Sequence, residues 1–162
     1  MVLDRVDSLG HSRSASVRGF TLIEMLVAIG VCGVLAAIAI SSFRSYTSRG
    51  KVTTAESDIM AIATAIGQYT TINGGPPPNL ATIGYDKLLD PWGNPYAYQS
   101  FTGLNGKGKM RKDKSLNPIN TQYDLYSMGA DGQSKMPLTA PESQDDVILA
   151  YDGNYIGLAS DF

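Results

Sequence analysis

FTLIEMLVAIGVCGVLAAIAI, residues 20–40, carries a single charge, Glu24. As a helix rising 1.5 Å per residue this run spans about 31 Å, close to the hydrocarbon thickness of a bilayer. The rest of the chain is unlike it: mean hydropathy is −0.07 over all 162 residues, so membrane character is confined to one segment. The residues before the run carry Arg5, Arg13 and Arg18 against Asp4 and Asp7. The positive-inside tendency therefore predicts a cytoplasmic N-terminus and a single pass. A cleavable secretory signal is the rival reading. Against it, the run is longer than an ordinary signal h-region, and Ser41-Ser42-Phe43 follows in place of a small-residue cleavage site.

Composition narrows the chemistry further. The net charge of −2 and pI near 5.2 give no electrostatic footprint for nucleic acid. One Cys, Cys32, excludes an intrachain disulfide, and the single His, His11, removes the commonest general base and zinc ligand from everything after it. No G-x-S-x-G, phosphate-cradling glycine motif or zinc spacing is present, so the sequence does not read as an enzyme. Cys32, inside the apolar run, reads as a small packing residue.

Outward from the run, Val52, Ala55, Ile59, Ile62, Ala63, Ile66 and Tyr69 recur every three or four residues. This is the apolar stripe of an amphipathic helix, predicted to continue from Phe20 to about Thr71 and to seat a small sheet. Asn73-Gly74-Gly75-Pro76-Pro77-Pro78 stops it. Beyond the prolines, Tyr96-Ala97-Tyr98, Tyr123-Asp124-Leu125-Tyr126-Ser127 and Val147-Ile148-Leu149 read as short strands. Between the first two lies a glycine-rich segment holding Lys107, Lys109, Arg111, Lys112 and Lys114. It reads as an exposed basic loop, either simply solvated or facing anionic lipid or an acidic partner.

Glu24 is the odd residue of the apolar run. A carboxylate inside a membrane helix costs on the order of 2.5–3.5 kcal/mol unless it is paired. From position alone it either snorkels to the interface or has a partner. The residues around it, Arg18-Gly19-Phe20-Thr21-Leu22-Ile23-Glu24, resemble the processing signal of type IV pilins and type II secretion pseudopilins. Asp90-Pro91-Trp92-Gly93-Asn94-Pro95-Tyr96-Ala97-Tyr98 and Tyr123–Gly132 (YDLYSMGADG) resemble the C-terminal domain of the major pseudopilin. The stretch from Phe101 to Asn120 is not covered by the resemblance, and Ser41-Ser42 stand where many relatives have a kinking proline.

The resemblance implies an α+β pilin-like fold, with one long N-terminal helix on a small antiparallel sheet and irregular C-terminal loops. It divides the chain into a leader (1–19), a transmembrane and filament-core helix (20–40), an amphipathic continuation (41–75) and a periplasmic domain (76–162). A prepilin peptidase would cut between Gly19 and Phe20 and methylate the new Phe20 amine. Glu24 would neutralise the amine of a neighbouring subunit, two charges that are each costly in apolar surroundings becoming tolerable together.

The implied partners are further copies of the chain in a helical homopolymer, minor pseudopilins, and an inner-membrane assembly platform with its ATPase. The implied task is to drive folded proteins through an outer-membrane channel. A surface type IV pilin for adhesion, motility or DNA uptake is the alternative. Major pseudopilins bind calcium, and here seven acidic residues against Lys135 alone follow Asn120. By the family's pattern the Asp131, Asp145 and Asp146 side chains and the Met128 and Gln133 carbonyls would surround Ca2+, which takes six to eight oxygens. Read without the family, such acids are a solvated surface.

Overall fold

The computed structural model describes residues 19–162, and Arg5, Arg13, Arg18 and His11 lie outside them. The chain forms two units, Met1–Ser42 and Phe43–Phe162. In the first, the described chain is helical from Leu22, and every residue of 19–42 is exposed. Helix α1 covers Leu22–Asn73, with Ser41-Ser42 inside its bounds. Serine keeps the backbone N–H that proline lacks, so the hydrogen-bond ladder continues.

In the second unit the predicted stripe is the buried face. Ala55, Ile59, Ile62 and Ile66 are shut off from solvent, with Val52 and Ala63 beside them. Each isoleucine contributes about 1.5–3 kcal/mol by leaving water. The helix ends where Gly74, at φ +79°, donates its N–H to the Thr70 carbonyl. Only glycine adopts that left-handed closing position without strain.

Four strands follow: β1 (Ala97–Ser100), β2 (Tyr123–Ser127), β3 (Val147–Ala150) and β4 (Tyr155–Leu158). They form an antiparallel meander in chain order, with Tyr98 opposite Leu125, Tyr126 opposite Ile148, and Ile148 opposite Gly157. The first three are the predicted ones. The fourth was not read from the sequence, because Gly157 interrupts its pattern. There the Tyr155 hydroxyl lies where a side chain would go, 2.9 Å from the place of a Cβ.

Strand periodicity divides the core in two. Leu125, Val147 and Leu149 pack on the helix side with Tyr96 and Leu80. Ile148 and Ala150, on the other face, pack with Ile119, Leu138 and Ala159. All four residues of β3 are therefore buried. The expectation of a wholly exposed basic loop is corrected here. Lys107, Lys109 and Lys114 are exposed, but Arg111, Ile119 and Asn120 of the same segment are buried and cover the sheet's second face.

Candidate functional site

Two places in the chain carry the residues singled out by sequence. The first is the start of α1. Gly19 and Phe20 precede the helix in irregular, exposed chain, with Phe20 80% exposed, so the peptide bond between them is open to approach. Thr21 is the N-cap. Its N–H and its hydroxyl both donate to Glu24 Oε2 at 2.8 Å, and the Glu24 N–H returns to the Thr21 hydroxyl at 3.3 Å. This reciprocal capping box satisfies two otherwise unpaired backbone donors and puts a carboxylate at the positive end of the helix dipole. The sequence reading of Glu24 missed this local partner, although Thr-x-x-Glu before an apolar run is its signature.

After the cap, the helix is long and apolar enough to cross a membrane, and none of its apolar stretch is buried. Leu22, Leu26, Ile29, Leu35 and Ile38 are each more than half exposed. A surface of that size and character is covered by lipid or by other apolar chains in the cell. Cys32 is a free thiol on it.

The second place is the turn after β2. Met128 is half-buried, Asp131 and Gln133 are exposed, and Asp145 is half-buried. Asp145 Oδ2 accepts the N–H groups of Ala130 and Asp131, at 2.7 and 3.1 Å, and Asp131 Oδ1 accepts the Gln133 N–H at 2.7 Å. Gly129, at φ +64°, makes this possible, since a Cβ there would stand 2.3 Å from the Asp145 carbonyl oxygen. Asp145 and Asp131 thus each hold backbone N–H groups of one turn through a single carboxylate oxygen.

Asp146, the remaining carboxylate expected around calcium, is engaged through one oxygen only, and its Oδ1 has no hydrogen-bond partner. It is fully buried, and its Oδ2 accepts from Arg111 Nη2 at 2.5 Å and from the Ser134 hydroxyl at 2.6 Å. Among the described residues no three acidic, His or Cys side chains converge on one point. Arg111 also donates its backbone N–H to Asp124 Oδ2 at 2.6 Å, and its guanidinium lies 4.0 Å from the centroid of the Tyr126 ring. Asn120 joins the cluster by donating to Asp124 Oδ1 and to the Leu149 carbonyl. Burial raises the Asp124 carboxyl, opposed by the Arg111 N–H, the Asn120 amide and the Arg111 charge.

An apolar, capped helix start and an amphipathic continuation packed on an antiparallel sheet define the pilin-like class of filament subunits. The family described as the prokaryotic N-terminal methylation motif matches residues 14–40. The chain is 37% identical to the type II secretion system core protein G of Pseudomonas aeruginosa PAO1, over 71% of this chain and 84% of that protein. It is 32% identical to the protein of the same name from Escherichia coli K12, over 72% of this chain and 83% of that one. A fimbrial protein of Pseudomonas aeruginosa is 48% identical, but over only 30% of this chain and 31% of its own. No solved structure matches. The chain belongs to the family of type II secretion system core protein G, the major pseudopilins. It is a membrane-anchored structural subunit of that kind.

Proposed function

We propose that the chain is cut between Gly19 and Phe20 by a prepilin peptidase, methylated on Phe20, and held in the inner membrane with residues 76–162 in the periplasm. An assembly platform and its ATPase then extract it into a helical pseudopilus of identical subunits, topped by minor pseudopilins, that drives folded proteins outward. The observation that carries this reading is a single capped carboxylate at the head of a fully exposed apolar helix. In the monomer Thr21 satisfies Glu24. On assembly the Phe20 amine of a neighbour replaces lipid beside it, and the pairing sets the axial register. Similarity over most of the length to core protein G, against a short match to a fimbrial protein, favours the pseudopilus over a surface pilus.

Calcium is part of the proposal. Asp131 and Asp145, with the Met128 and Gln133 carbonyls, would hold Ca2+, and the ion would tie the turn after β2 to the chain entering β3. The test of the main reading is an immunoblot and a secretion assay. Gly19→Val should accumulate the unprocessed form. Glu24→Val should be inserted and cleaved yet fail to form filaments or support export. Normal maturation of Gly19→Val, or normal export by Glu24→Val, would sink the reading.

A further inference from the structure

We propose that the first turns of α1 after the apolar run, together with the Trp92 turn, form a binding site for the phosphodiester headgroup of bilayer phospholipid, anionic lipid above all. Arg44, Thr47, Ser48 and Lys51 recur at i, i+3, i+4 and i+7, so they share one helix face. Trp92 stands against that face, with Lys51 Nζ 5.9 Å from the centroid of its ring. With Phe43 these residues line a shallow, open groove of about 320 Å³. All six lie in the second unit.

The aromatic wall is held rigidly. Asp90 Oδ1 accepts the N–H groups of Trp92 and Asn94 at 3.0 and 2.8 Å, and its Oδ2 accepts the Ser127 hydroxyl at 2.5 Å. Gly93, at φ +97°, closes the turn. Among the described residues neither Arg44 nor Lys51 pairs with a carboxylate. Two unpaired cations, the Ser48 hydroxyl and an indole make a receptor for a phosphate whose other side is apolar.

Position selects the source of that phosphate. Phe43 and Arg44 follow within four residues of Ile40, the last residue of the apolar run. When the run lies in a bilayer, the groove's helical wall begins at headgroup level, where Trp, Arg and Lys are favoured and anionic lipid attracts cations. The groove's charge is opposite to that of anionic lipid. The site rests on the reading of residues 20–40 as a membrane anchor. Its consequence is that the sheet-bearing unit is steadied against the membrane surface before extraction, and must release lipid to leave it.

Trp92 is the only Trp in the chain, so its fluorescence reports this groove alone. The full chain is reconstituted into vesicles of phosphatidylcholine, or of an equimolar mixture with phosphatidylglycerol, each with and without a headgroup spin-labelled lipid. We expect a blue shift and roughly twofold stronger headgroup quenching in the anionic vesicles. In the double variant Arg44→Gln/Lys51→Gln that difference disappears while the protein still floats with the vesicles. Floating protein whose Trp92 responds identically to both lipids overturns the site and leaves the anchor intact. The same response evoked by inorganic phosphate on neutral vesicles, or only by raising the protein-to-lipid ratio, reassigns the groove to free phosphate or to a second copy and overturns it too. Protein that does not float removes the anchor reading, and the proposal with it.

Discussion

Arg111 Nη2 lies 2.5 Å from Asp146 Oδ2, and both side chains are shut inside the second unit, 2% and 0% exposed. The contact joins the segment between β1 and β2 to the residue that leads into β3. A guanidinium of the chain itself thus ties the segment before β2 to the chain entering β3. Tyr126 stacks beneath it and Ser134 shares the same carboxylate oxygen.

Removing one partner strands a charge in the interior, which typically costs about 3–5 kcal/mol. Arg111→Met should lower stability by that amount in chemical denaturation of the detergent-solubilised chain. Arg111→Lys should not restore it, because a point ammonium cannot hold Asp146 and Ser134 together or stack on Tyr126. Arg111→Met combined with Asp146→Leu should recover much of the loss. A single variant as stable as wild type would mean that the pair is dispensable.

The same cluster gives a pH dependence. Burial pushes the Asp146 carboxyl up to about 6 from 3.8, against the pull of Ser134 and Arg111, with Asp145 adding to the rise. A carboxyl that holds its proton more tightly in the fold than unfolded stabilises the fold fully below about pH 3.8. That contribution is lost as pH rises through about 6. The stability difference between wild type and Asp146→Asn should therefore shrink, or turn in favour of the variant, across that window. A difference that stays flat there contradicts the buried, raised carboxyl.

Gly129 is where the turn after β2 and the chain before β3 come closest. A methyl group there meets the Asp145 backbone, and the positive φ penalises any side chain. Strain and overpacking together should cost Gly129→Ala about 2–4 kcal/mol. A thermal melt reads this directly, and Gly153→Ala serves as control, since φ is positive there with no atom within 4 Å of the added Cβ. Gly129→Ala should lose clearly more.

A ligand that binds only the folded chain adds about 2.7 kcal/mol at one hundred times its dissociation constant. Calcium should raise the melting temperature and a chelator should lower it. The response should vanish in Asp131→Ala and persist in Asp146→Asn, whose carboxylate is already engaged by Arg111. Loss of the response in Asp146→Asn, with Asp131→Ala unaffected, would reverse the assignment of ligands.

Local pattern was enough for everything that depends on neighbours along the chain. The apolar run, the stripe from Val52 to Tyr69, the stop at Gly74 and the strands at Tyr98, Tyr123 and Val147 are all periodicities of two or three to four residues, which state which face of an element avoids water. The methylation-motif match over residues 14–40 is equally local, and so is the Thr21–Glu24 cap. Tertiary structure alone decided the rest. Arg111 and Asp146 are 35 residues apart, and in the sequence each is one charge among several alike. Nothing in composition tells Arg111 from Lys109 or Lys112, because what separates them is which one the folded sheet covers. Strand β4 became a strand only because β3 supplied its ladder, and Asp90 became a rigid turn only when Ser127 arrived from β2. Burial and pairing at long range depend on the arrangement of the whole unit, so they emerge only when the unit is folded.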